Sequence, residues 1–205
     1  GLAREGAVIL GGDAEMSFVY RFASDIERAW MDARAVQVSE TVDFRSMVVV
    51  DQNAGTVERG LTQIRGIDDV YPIYGSVQLI PDIPLPQALA GTTYPGAVMQ
   101  PLLIDRLALE IGDTFRLGTQ TFELTAALMG EPDAASGGFG LGPRTLVTLE
   151  ALGGSGLLQP GTLFDSQYRL QLPMGTNLEQ TEAEALGLFR DTGLRWRDAR
   201  NGAPG

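Results

Sequence analysis

The sequence predicts an α+β protein: a split β-α-β sheet with both helices on one face, interrupted by a small inserted β-rich lobe. Three observations predict it. Both ends read strand, capped helix, strand, so they mirror each other. A short helix leading into a β-hairpin occupies the middle, at 97–128. A proline-rich stretch separates the first repeat from that middle module, so regular pairing must stop there. The expected division is one discontinuous lobe, 1–80 plus 162–205, around an insert at 81–161, with the boundary near Leu79–Pro86.

In chain order, Ala14, Met16, Phe18 and Tyr20 alternate with Glu15, Ser17, Val19 and Arg21, the period-two pattern of a half-buried strand. Ser24 and Glu27 have the spacing of a capping box, and Ile26, Ala29, Trp30 and Ala33 make one apolar stripe on the helix it opens. Val36–Val50 is β-branched and mostly alternating, 51–56 is a turn, and Val57–Arg65 returns as the partner strand. Asp51, Asn53 and Gly55 have the spacing of a calcium loop. Its twelfth position is Thr62 rather than an acid, so the reading is a hairpin turn.

Residues 67–86 carry Tyr71, Tyr74 and four prolines and read as a stiff irregular link. In the middle module Pro101 suits a first helical turn, where its missing N–H costs nothing. Leu102, Leu103, Ile104 and Leu107 form a short apolar face, Gly112-Asp113 turns the chain, and Phe115, Leu117, Phe122 and Leu124 alternate on two hairpin strands. Residues 130–144 are glycine-rich without the Gly-Lys-Ser/Thr of a phosphate loop, and read as an exposed loop with Phe139 and Leu141 near its tip. Thr145–Leu149 is a strand and 150–158 a short helix or turn. Gln167–Leu172 is a strand with Tyr168, Leu170 and Leu172 inward and Arg169 and Gln171 outward. Thr176 and Glu179 form a second capping box, whose helix buries Leu178, Thr181, Ala185, Leu188 and Phe189. Gly193 is placed to end it, and Leu194–Asp198 is the last strand, with Leu194 and Trp196 inward. This order of elements brings the two termini to the same end, as a domain hung between two membrane helices requires.

Composition narrows the chemistry. Of 205 residues, 44% are hydrophobic and 20% charged, as in a globular protein. The formal net charge of −11 argues against nucleic acid as a partner, since phosphate binding needs clustered cations. All 15 basic residues are arginine, and there is no His, Cys or Lys. That excludes His- or Cys-ligated zinc, thiol nucleophiles, Ser-His-Asp triads, Schiff bases and P-loops, and no cofactor is expected. An enzyme would have to work with carboxylates, Tyr, Ser/Thr and Arg. No apolar run approaches the roughly 20 residues that cross a bilayer; Ala7–Leu10 is far too short, and no secretory leader is recognisable. Beginning on Gly1, the chain reads as a piece of something longer.

Several segments, taken in order, carry a resemblance: LGGD at 10–13, VYPIYG at 70–75, LLIDRLALEIGDTFRLG at 102–118, EPD at 131–133, GPR at 142–144 and RDAR at 197–200. Together they resemble the first large extracytoplasmic domain of FtsX/MacB-type ABC transporter permeases. The 102–118 segment is shared across that superfamily, with Ala108 where the pattern usually has Gly, and VYPIYG, EPD and GPR point to the YbbP-like branch. The resemblance implies a ferredoxin-like porter lobe carrying a small β-rich, Sabre-like lobe, in agreement with the split above. It implies transmembrane helices just outside both ends of the chain, a cytoplasmic ABC ATPase subunit and a periplasmic location at the bacterial inner membrane. It further implies a non-enzymatic role, relaying ATP-driven motion to a periplasmic partner or to export of a lipid-like or hydrophobic cargo.

Particular residues have two readings each. Glu131 and Asp133, or Asp68 and Asp69, could act as an acid–base pair if their environments set their pKa values apart; as solvated turn residues they need no special environment. Tyr71 and Tyr74 offer an aromatic contact surface or packing at the lobe junction. Phe139 and Leu141 are either an exposed apolar contact for partner or cargo or fold back on the insert. Arg144 joins that candidate contact set or pairs with Glu131 or Asp133. Arg4, Arg195, Arg197 and Arg200 are candidate membrane-proximal cations or a solvated strand face. Two rivals to the permease reading stand: an untethered periplasmic ligand-binding module, and a carboxylate-dependent hydrolase with a deep acidic pocket.

Overall fold

A computed structural model of the protein describes residues 2–52, 55–133 and 142–202. The strands are β1 (Ala14–Val19), β2 (Gln37–Asp51), β3 (Val57–Ile67), β4 (Gln78–Ile80), β5 (Gly96–Met99), β6 (Thr114–Leu117), β7 (Gln120–Gly130), β8 (Arg144–Thr148), β9 (Phe164–Gln171) and β10 (Arg195–Asp198). The helices are α1 (Leu2–Leu10), α2 (Asp25–Arg34), α3 (Leu85–Ala90), α4 (Pro101–Arg106), α5 (Leu149–Leu152), α6 (Leu178–Leu188) and α7 (Ala199–Gly202). The strands form one mixed sheet in the order β10-β1-β9-β2-β3-β8-β5-β7-β4, with β6 bridging β2 and β7.

The first four strands of that order are the split β-α-β unit. β9 lies between β1 and β2, β1 lies between β9 and β10, and all three pairings are antiparallel. Trp30 and Met31 of α2 share one apolar cluster with Ala185 of α6, Phe189 beyond it, and Met16, Tyr168 and Leu170 of the sheet. Both helices therefore cover one face, as expected. Beyond β2 the sheet continues through β3 into a parallel ladder with β8, from Gln63 opposite Arg144 to Ile67 opposite Thr148. Strands β5 and β8 are covered on both faces. Ala97 and Met99 lie in a cluster with Leu103, Phe115 and Phe122, whereas Val98 between them packs with Tyr71, Leu128 and Leu146.

Several local expectations are corrected. The Ser24 capping box forms as read, but α2 is rotated: Glu27, Trp30 and Met31 are buried while Ile26 is 75% exposed. Glu27 turns inward because its carboxylate both completes the capping box and takes a two-pronged bond from Arg21, at 2.7 and 2.9 Å. The N-cap of α6 is Asn177, whose side chain accepts from Gln180 N, rather than Thr176. That helix ends at Leu188, which is exposed, and Gly193, though left-handed, lies beyond the cap. Helix α3 begins inside the 67–86 link, and residues 96–99, at the start of the middle module, form strand β5 ahead of its helix.

The short apolar run near the start belongs to α1, which packs against α7. The two helices approach so closely at Gly6 that a Cβ there would stand 1.8 Å from the Ala199 carbonyl oxygen. α1 leads into β1 and α7 leaves β10, and these strands are neighbours with Ala14 opposite Asp198. The described chain therefore comes in and goes out at one end of the sheet.

Candidate functional site

The face of the sheet opposite α2 and α6 carries side chains that strand alternation alone would send to water. Arg65 on β3 lies directly across from Asp43 on β2, and the guanidinium grips both carboxylate oxygens at 2.9 and 3.1 Å. Only 1% of Arg65 is exposed, because the turn after β7 folds over it. That turn supplies Asp133, fully buried, which accepts from Arg65 Nη1 at 2.7 Å and from the Tyr71 hydroxyl at 2.9 Å, with Arg169 Nη2 at 2.5 Å. Glu131 of the same turn accepts from Arg144 Nε at 2.6 Å and Nη2 at 3.2 Å, and from Arg65 at 3.3 Å. Arg169 also donates to Thr41 Oγ1 at 2.7 Å, while its buried Nε has no hydrogen-bond partner among the described residues and stands 3.9 Å from Glu15. Both Arg65 and Arg169 lie over the Tyr71 ring, 5.7 and 5.8 Å from its centroid.

Three guanidiniums thus interleave with the carboxylates of Asp43, Glu131 and Asp133, and the opposed charges offset their loss of water. Arginine alone among the cations suits this, since its flat five-donor fork can serve two carboxylates at once. Burial would push the Asp133 carboxyl up. Arg169, Arg65 and the Tyr71 hydroxyl outweigh it and hold the group down at about 2. The Tyr71 hydroxyl goes the other way, raised first by burial and then by Asp133 and Glu131 against the opposing pull of Arg65 and Arg169.

The depressed acid gives a signed prediction. Its folded pKa lies below the ordinary 3.8, so its stabilisation is complete at neutral pH and is lost as pH falls from about 4 towards 2, about 2 kcal/mol in all. Urea midpoints measured through that range should fall, and Asp133→Asn should flatten the fall.

Four of the segments quoted above, LGGD, VYPIYG, EPD and GPR, meet here. Gly11 of LGGD has φ +83° and lies so close that a Cβ would sit 3.3 Å from both Arg169 and Asp133 side chains. Asp13 accepts from the Tyr74 hydroxyl at 3.0 Å and from Leu172 N at 2.7 Å. Gly75, closing VYPIYG, lies against Pro132 of EPD. RDAR makes a separate cluster at the base of α7: Asp198, buried, accepts from Trp196 Nε1 and from the Arg200 backbone and guanidinium, and Arg200 also reaches Glu182.

Of the candidate residues, Tyr71 and Arg144 are buried inside the network and Tyr74 is half-buried beside it. Glu131 and Asp133 are not solvated turn residues: Glu131 is committed to arginines and Asp133 to arginines and Tyr71. Phe139 and Leu141 lie outside the described residues. Arg4 on α1 and Arg200 on α7 are exposed at the paired helices, and Arg197 is half-buried opposite Glu15. Arg195 is exposed at the other end of β10, opposite Ser17. Asp68 is a local brace, accepting from Ser39 Oγ and Glu40 N, and Asp69 is exposed. Sequence reading missed Arg65, Arg169 and Asp43. Their signal was an arginine or acid at alternate positions of three strands, matched by a two-acid turn elsewhere. Among the described residues no group of three or more acids stands close enough together to hold a metal ion.

No family model matches the chain. Over 173 residues it is 28% identical to the uncharacterized ABC transporter permease YbbP of Escherichia coli K12, which is 82% of this chain but 20% of that protein. The chain therefore spans about a fifth of the length of the curated relative it matches. Among solved structures it is similar to the periplasmic region of MacB from Actinobacillus actinomycetemcomitans, with TM-score 0.55 and 8% identity over 98% of this chain and 95% of that one. A domain of a putative permease from Porphyromonas gingivalis gives TM-score 0.54 and 10% identity, over 91% and 89%. The extracellular domain of the noncanonic ABC-type transporter YknZ from Gram-positive bacteria gives 0.51 and 14%, over 90% and 100%. At these identities the three structures establish the α+β fold. Sequence likeness to YbbP and the fold in common with these domains bear out the resemblance carried by the segments: the chain is similar to the extracytoplasmic domain of FtsX/MacB-type ABC transporter permeases, on the YbbP-like side.

Proposed function

We propose that this chain is the extracytoplasmic domain of an ABC transporter permease and works without catalysis of its own. The observation that carries the reading is the pairing of α1 with α7, which gives the chain one doorway at one end of the sheet. In this reading the two helices continue into membrane-spanning segments of the full-length chain, and a cytoplasmic ABC ATPase drives them. Residues 1–80 with 162–205 form the lobe that receives the motion, and 81–161 the lobe that meets a periplasmic protein or a lipid-like, hydrophobic cargo. Phe139 and Leu141 are the proposed contact, with Tyr71, Tyr74 and Arg144 bracing the base of their loop. Arg4 and Arg200, exposed on the paired helices, are the proposed neighbours of lipid headgroups; Arg195, at the far end of its strand, is not. A hydrolase is not supported, because the buried acids are neutralised pairwise and Asp133 stays ionised to about pH 2.

Because the chain has no cysteine, one thiol reports on location. Ile111, 51% exposed, is replaced by Cys in the full-length permease with any other cysteines removed. A membrane-impermeant maleimide is then applied to intact spheroplasts. Labelling without lysis, on a protein that sediments with the membrane, is the expected result. Labelling only after lysis would overturn the extracytoplasmic assignment, and a labelled chain in the soluble fraction would replace the tethered domain by a free binding module.

A further inference from the structure

On the same face of the sheet as the charge network, at the end away from α1 and α7, β1, β2, β3, β9 and β10 leave an open pocket of about 350 Å³. That volume is at the small end of the range for sites that take organic ligands. Its walls include three guanidiniums, Arg45, Arg144 and Arg195, and two carboxylates, Asp43 and Asp165. The charges do not cancel within the pocket. Asp43 is already gripped on both oxygens by Arg65. Arg45 is exposed and makes no ion pair or side-chain hydrogen bond among the described residues. Arg195 draws on Asp165 electrostatically but is not within ion-pair distance of it. Asp165 is therefore left half-buried near a second acid, and its carboxyl is raised, first by burial and then by Asp43, with Arg195 opposing. In a protein of net charge −11, this is a local surplus of cation.

Strand register places an apolar ledge beside it. Arg45 lies opposite Gln63, and the next pair on the same face, about 7 Å further along, is Met47 opposite Leu61. These two are 39% and 42% exposed, and Leu163 on the pocket wall is 68% exposed. Charged floor and greasy ledge adjoin without a covering element among the described residues.

We propose that this pocket is a binding site for a small organic anion, its phosphate or carboxylate held by Arg45 and Arg195 and its apolar part lying on Met47 and Leu61. The site is independent of whether the chain is part of a permease. Arg45 and Arg195 form charge-assisted hydrogen bonds to the anion, while Arg144 on the wall stays committed to Glu131 and Asp43. Asp165 opposes the anion and limits its affinity.

The test titrates the 205-residue chain with hexyl phosphate, inorganic phosphate and hexylammonium, by calorimetry and amide chemical shifts. Hexyl phosphate should bind about tenfold more tightly than inorganic phosphate, shifting amides of Arg45, Asp165, Arg195 and Leu61. Arg45→Ala should weaken it about tenfold, and Met47→Ser with Leu61→Ser should erase the advantage over inorganic phosphate. Asp165→Asn should strengthen binding, which no cation site would do. Arg106→Ala, exposed on α4, controls for net charge and should change nothing. All these substitutions are on exposed or half-buried side chains, and circular dichroism confirms that each variant folds. No binding of hexyl phosphate at millimolar concentration, binding indifferent to Arg45→Ala, or preference for hexylammonium would each overturn the proposal.

Discussion

Asp133→Ala should destabilise the protein by about 3–5 kcal/mol, read as a fall in the urea midpoint at unchanged slope. The carboxylate is fully buried between Arg65 and Arg169 and accepts from Tyr71 as well. Its removal leaves two buried guanidiniums short of a counter-charge and a tyrosine hydroxyl without its acceptor, which costs far more than the pair contributes when intact. The same logic predicts a coupling. Adding Arg169→Met to Asp133→Ala removes one of the orphaned cations, so the double variant should lose clearly less than the sum of the singles. A loss under about 1 kcal/mol for Asp133→Ala would show that water replaces the carboxylate cheaply and that the network is not a structural keystone.

Gly6→Ala should separate α1 from α7 while leaving the sheet folded. The added methyl carbon would stand 1.8 Å from a backbone oxygen of Ala199, and a backbone atom cannot step aside as a flexible side chain can. None of the residues in the three apolar clusters comes from α1 or α7, so the global midpoint should shift by about 1 kcal/mol or less. Amide exchange in both helices should accelerate at least about tenfold. In the full-length permease the proposed relay begins at this contact, so export should fail while the ATPase subunit still binds nucleotide. Unchanged exchange would mean the helices are not held through Gly6; altered exchange with normal export would mean the contact is not part of the relay.

The alternating strands, the Ser24–Glu27 box and the hairpin of β6 and β7 could be read from sequence, because each is specified by residues a few positions apart. What escaped was set at long range. Arg169 stands between Tyr168 and Leu170 on β9, and period two sends it to solvent; it is buried because a turn 36 residues earlier covers that face. Glu27 is buried, where a carboxylate rarely sits, because Arg21 makes the inside habitable for it. The N-cap of α6 lies one residue further on because Thr176 and Asn177 are both good acceptors, and the backbone settles on the second. The pairing of Arg144 with an acid of the EPD turn was among the open readings, and Glu131 is that acid.

Strand β2 runs 15 residues, from Gln37 beside the end of β9 to Asp51 at the tip of its hairpin with β3. At about 3.4 Å per residue that is an arm of roughly 50 Å rooted near the paired helices. Geometry then multiplies small motions: a tilt of about 10° at the root sweeps the tip through roughly 9 Å, about the spacing of two packed layers. A small rotation where the strand is rooted is thus magnified into a large displacement at its far end.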